Sequence, residues 1–197
     1  AGGDFALGAA ASIDVTAKGF RRGNGPGIAS GGMSHGGVGT AWYGPELTQN
    51  LNKGCYGSVK APETLGSAVN YSPTRGGGAV RLEVAGTLSV TGAVSATGGT
   101  VGHYAPSGGS IFLKARAIEG TGTLRANGGT ATISPTHGGG GRVALVLTGA
   151  GETFDAFTGT VEAYAGGIDK AAYSGTIYTE TAADGGKGVL LVKGIGS

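Results

Sequence analysis

Two stretches of this chain repeat one another. Residues 77–99 read GGAVRLEVAGTLSVTGAVSATGG, residues 108–129 read GGSIFLKARAIEGTGTLRANGG, and they align throughout with one gap. Val80, Leu82 and Val84 match Ile111, Leu113 and Ala115, and Leu88, Gly92, Val94 and Ala96 match Ile118, Gly122, Leu124 and Ala126. A third copy begins at Gly140 with GGRVALVLTG and resumes as TGTVEAYAGG, so that Val143, Leu145 and Leu147 take the first strand and Val161 and Ala163 the later one. A degenerate fourth copy opens the chain, with Phe5, Leu7, Ala9, Val15 and Ala17 at comparable positions. Inside each copy the apolar residues alternate at period 2, the mark of a strand with one buried face. Gly-Gly pairs separate the strands, where tight turns favour positive φ. Such a unit cannot bury its apolar face alone and must stack on its neighbours. The pattern therefore predicts an all-β chain, a parallel β-helix (β-solenoid). The alternative is a β-sandwich, which needs longer strands and less internal repetition.

Stacking in register has consequences. Val94, Leu124 and Val161 form one interior row, and Ala96, Ala126 and Ala163 another. On the outer face Glu83 falls beside Lys114 and Arg125 beside Glu162, so opposite charges favour this register. The chain reads as one domain, 1–197. Residues 1–19 are a first coil, 20–75 an irregular excursion, 76–167 three repeat coils and 168–197 closing strands with a hairpin-like unit. The excursion lacks alternation, is rich in Gly and Pro, and holds Trp42, Met33, Cys55 and three of the seven tyrosines. A stretch of that length without periodicity has a role, either covering the solenoid flank or carrying binding.

Composition removes several classes. Glycine supplies 45 of 197 residues, against a usual share of about 7%, yet it has no three-residue period, so a collagen helix is excluded. No apolar run approaches the roughly 18 residues of a membrane span, and membrane insertion is not expected. Net charge is +2 and no basic cluster exceeds Arg21-Arg22, so nucleic acid is not an expected partner. A lone cysteine, Cys55, excludes an internal disulfide framework and reads as a packing residue. The chain begins at Ala1 without an initiator Met, which suggests a processed chain or an excised segment.

The run GNGPG…SHGGVG…YGS…AP…LGS…GGGAVRLEVAGTLSVTGAVSATGG, with GGSIFLKA, GTGTLRANGG, GGGGRVALV, FTGTVEAYAGG and GTIYTETA downstream, resembles glycine-rich β-helical repeat segments of large secreted bacterial surface (adhesin-like) proteins. The resemblance covers nearly the whole chain. It implies a β-helical fold and an extracellular or cell-surface location, and it brings no catalytic residues.

Chemistry-bearing residues are sparse. His35 and His137 each precede Gly-Gly, and His103 lies five residues before Gly108. A metal centre needs three or four ligands at suitable spacing; no cysteine or carboxylate accompanies them, so they read as turn residues bonded to backbone, and neither metal nor cofactor is expected. The twelve carboxylates are scattered, whereas a glycosidase needs two across a cleft. Calcium-binding GGxGxD repeats are absent, and Gly186-Lys187 is followed by glycine, not the hydroxyl residue of a phosphate-binding loop. The threonines form no repeated Thr-x-Thr row of the kind ice binding would use.

The expected function is therefore structural and not enzymatic. The chain opens in a repeat-like strand and closes in an apolar one, Val189–Val192, without a polar helical cap. Uncovered strand edges pair, and a head-to-tail contact that does not close gives a filament. Phe5, Leu7, Val189 and Leu191 are the expected self-association residues, and a second copy the expected partner. The alternative is an adhesin-like module binding surface glycans or a protein through Trp42, Tyr43 and Tyr56. A polysaccharide lyase or hydrolase is a less favoured reading than either.

Overall fold

The computed structural model describes residues 2–28, 31–40, 54–70, 73–134, 136–167 and 172–194. Strands β1 (Phe5–Leu7), β3 (Ala79–Val90), β5 (Ser110–Glu119), β7 (Arg142–Leu147), β9 (Thr176–Glu180) and β10 (Val189–Leu191) form one sheet in that order. Strands β2 (Ser12–Asp14), β4 (Ala93–Ser95), β6 (Thr123–Arg125) and β8 (Thr160–Glu162) form a second. Every pairing is parallel except that of β9 with β10. The described helical residues make only two single 3-10 turns, Phe154–Ala156 and Ala182–Asp184. This is a parallel β-solenoid, and the antiparallel ladders of a β-sandwich are not what connects its repeats.

The registers are those of the repeat alignment. Val80, Leu82 and Val84 pair with Ile111, Leu113 and Ala115, and these with Val143, Leu145 and Leu147. Val94, Leu124 and Val161 lie in one row. Period-2 alternation sends these side chains inward, where Leu88, Ile111, Leu113, Ile118, Leu124 and Val143 are wholly buried in one cluster. Interior burial at about 25 cal/mol per Å² is what drives the coils together. The outer charges also meet as the alignment requires. Lys114 Nζ lies 4.0 Å from Glu83, and Arg125 Nε donates to Glu162 at 3.0 Å.

The first coil departs from its alignment. β1 pairs with the second half of β3, Phe5 with Leu88 and Leu7 with Val90. Ile13, opposite Val94, continues the interior row, while Ala9 is exposed in a turn. The degenerate copy holds too few apolar residues to settle this by pattern alone.

The third wall of the solenoid is not a sheet. Four hydrogen bonds recur from coil to coil: Gly78 N–H to Val15 O, Gly109 to Ala96, Gly141 to Ala126 and Gly175 to Ala163, at 2.8, 2.8, 2.7 and 2.7 Å. A Cβ on Gly109 would sit 1.9 Å from the Gly78 oxygen, on Gly141 2.1 Å from the Gly109 oxygen, and on Gly175 1.8 Å from the Gly141 oxygen. None of these three is among the positive-φ glycines, so a left-handed turn is not the reason for them. Backbone meets backbone with no room for a side chain, as at other glycine-packed axes. Positive φ occurs elsewhere, at glycines such as Gly57 and Gly120 and at Ala17 and Tyr104.

Candidate functional site

The excursion docks on this wall and on the outer face of the first sheet. Met33 N–H donates to Ala105 O, Thr40 N–H to His137 O, and the N–H groups of Gly36 and Gly37 to Gly140 O. Residues 58–63 lie across the sheet. Val59 and Ala61 cover Phe112, Ala144 and Tyr178, outward-facing side chains that would otherwise be exposed. Glu63 pairs with Arg81, whose guanidinium lies 4.7 Å from the Phe112 ring centre, and Lys60 donates to the carbonyl of Gly186. Alternation alone could not reveal these partners, because they come from a segment without periodicity.

A buried polar cluster sits where excursion and sheet meet. His35 is fully buried, with Nδ1 2.7 Å from Gly108 O and Nε2 2.8 Å from Thr64 Oγ1. A carbonyl only accepts, so the proton is on Nδ1, and Nε2 accepts from the threonine hydroxyl. Burial lowers the His35 pKa from 6.5 to about 4. The Tyr56 ring lies 4.5 Å from the His35 ring, its hydroxyl donates to Leu65 O at 2.7 Å, and Ser67 Oγ is 2.8 Å away. Burial pushes the Tyr56 phenol up to about 12.

Arg142, at the start of β7, is 5% exposed. Its Nε donates to Tyr56 O at 2.9 Å and its Nη1 to Thr176 Oγ1 at 2.8 Å. Among the described residues no carboxylate pairs with it, and desolvation lowers its pKa. Cys55 lies next to Tyr56 and is exposed, which corrects the packing reading of that residue. The chain around the sulfur still raises its pKa through desolvation, so at neutral pH it is a thiol and a poor nucleophile. The cluster thus holds its protons near neutrality and fastens the excursion down.

Of the residues expected to bind, Tyr56 belongs to this internal network, while Trp42 and Tyr43 lie outside the described residues. His137 accepts from Ala131 N–H through Nδ1 at 3.2 Å, a backbone-bonded role. No group of three or more metal-ligating side chains occurs among the described residues. A groove lined by Glu83, Val84, Ala85, Lys114 and Thr148 presents a single carboxylate, already paired with Arg81 and Lys114.

The ends of the first sheet are the other candidate. Val189, Leu190, Leu191 and Val192 are 57%, 51%, 39% and 65% exposed. Three adjacent apolar residues on the edge strand β10, followed by Val192, are a ready template for pairing. At the opposite end Leu7 is buried and Phe5 partly buried beneath β3. The two end strands occupy different columns of the sheet, β1 that of Leu88–Val90 and β10, through β9, β7 and β5, that of Val80–Leu82. No family model, curated protein or solved structure matches this chain. No helix among the described residues is long and apolar enough to cross a membrane.

Proposed function

We propose that this chain is an extracellular structural module that associates end to end with copies of itself, building a filament or surface matrix. The observation that carries the reading is the edge strand β10, with Val189, Leu190 and Leu191 all exposed. Unpaired edges of this kind are normally blunted by charge, proline or a cover. The resemblance to glycine-rich β-helical segments of secreted bacterial surface proteins supports the location and the architectural role. The buried polar cluster supports it as well, since its groups are engaged within the chain and secure a cover over the sheet.

Sedimentation velocity across a concentration series tests the proposal. The native chain is expected to show a sedimentation coefficient that rises with concentration. Leu190→Lys places a charge on the edge strand without touching the buried core, and is expected to abolish the rise. A native chain that stays monomeric throughout, or a Leu190→Lys variant that associates equally well, contradicts the proposal.

A further inference from the structure

We propose that the joint between copies is an antiparallel ladder in which β10 of one copy pairs with Val80–Leu82 of the next. This rests on the end-to-end association above and specifies which edges meet. The registers supply the argument. One continuous row runs Val80, Ile111, Val143, Ile177, Leu191; a second runs Leu82, Leu113, Leu145, Thr179, Val189. Their members from β3, β5 and β7, and Ile177 of β9, face the interior. Between them Arg81, Phe112, Ala144, Tyr178 and Leu190 form an outward row. The column that ends at β10 is therefore the column that starts at β3.

The first half of β3 has β5 on one side and, at Val80–Leu82, no described strand on the other. β1 covers only Leu88–Val90. A second copy set further along the axis thus brings two half-width strands into one layer. Its β1 and the first copy's β10 lie side by side, three residues each, beneath the whole of its β3. All other strands of this sheet run parallel and β10 alone is reversed, so the joint is antiparallel. Leu191 then continues the interior row onto Val80, and Val189 onto Leu82. The shape of both ends fits a second copy of this chain. At about 4.8 Å per strand step, five steps from β3 to the next β3 give an axial repeat of about 24 Å.

Engineered cysteines test the joint in a Cys55→Ser background. In one chain residues 82 and 189 are four strand steps apart, about 19 Å, beyond the roughly 7 Å Cα separation that a disulfide spans. A bond between them is therefore intermolecular. Leu82→Cys with Val189→Cys is expected to give a ladder of covalent oligomers on non-reducing gels after mild oxidation. Arg81→Cys with Leu190→Cys, both on exposed residues, should do the same and guards against a folding defect from the first pair. A ladder from Leu7→Cys with Val189→Cys instead would overturn the joint, as would filaments that neither of the first two pairs cross-links. Leu190→Cys alone giving covalent dimers and nothing larger would point to a closed two-fold contact and also overturn it. Absence of any association in sedimentation would reject the end-to-end reading itself, along with this joint.

Discussion

Gly175 stacks on Gly141 so closely that a methyl group on the first would lie 1.8 Å from the carbonyl oxygen of the second. Similar close approaches join Gly141 to Gly109 and Gly109 to Gly78, at 2.1 and 1.9 Å, so in this column of the solenoid backbone packs on backbone. A side chain there must push coils apart. Gly141→Ala is expected to cost about 2 kcal/mol or more, since overpacking a tight site costs roughly 1–3 kcal/mol. Gly8→Ala, where nothing lies within 4 Å, is expected to change stability by less than about 0.5 kcal/mol. Urea midpoints of the two variants check this, and equal midpoints would remove the reason given for the glycines.

His35 makes stability depend on pH in a defined direction. Its folded pKa of about 4 lies below the ordinary 6.5, so between those values the unfolded chain binds more protons. The contribution is complete above about pH 6.5 and is lost as pH falls toward 4. At 1.36 kcal/mol per pKa unit it is on the order of 3 kcal/mol. Denaturation across pH 4–7 should show stability rising with pH, with a smaller slope in His35→Gln. An unchanged slope in that variant would mean that another group carries the effect.

Arg142 fastens the excursion by reaching from β7 to Tyr56 O and Thr176 Oγ1. Arg142→Lys keeps the charge but not the planar fork that reaches both acceptors. A loss of about 1–3 kcal/mol is expected. Limited proteolysis should then cut residues 54–65 faster than in the native chain while β3–β9 stay protected. Protection of 54–65 equal to the native chain would show that other contacts hold the segment.

The pair Arg125–Glu162 reports on coil register. Arg125→Glu should weaken the fold slightly, and Arg125→Glu with Glu162→Arg should recover most of the loss. A double-mutant cycle is expected to give a coupling of about 0.2–1 kcal/mol. Zero coupling would mean the side chains do not meet across β6 and β8 in solution.

The rows through β3, β5 and β7 and through β4, β6 and β8 are legible in the repeat itself. Alternating apolar residues at a constant spacing define both the face and the partner, as Val94, Leu124 and Val161 illustrate. The placement of β1 under Leu88–Val90 was not readable, because three residues offer too little pattern to choose between the halves of β3. The glycine wall was visible as composition, but its reason was not. Gly-Gly pairs suggest positive φ, whereas in the fold carbonyls occupy the space a Cβ would need. The burial of Phe112 and Tyr178 beneath Val59 and Ala61 depends on contacts between distant, non-repeating segments. The same holds for Tyr56, an exposed-looking aromatic in sequence whose hydroxyl bonds inside the molecule. What sequence marked at β10 was an apolar strand; its exposure and its column became visible only in the sheet.

The most direct test of the central proposal is negative-stain electron microscopy of the native chain across a concentration series. The account predicts unbranched filaments one domain wide that lengthen with concentration and are absent for Leu190→Lys. Discrete particles of single-domain size at every concentration would contradict it.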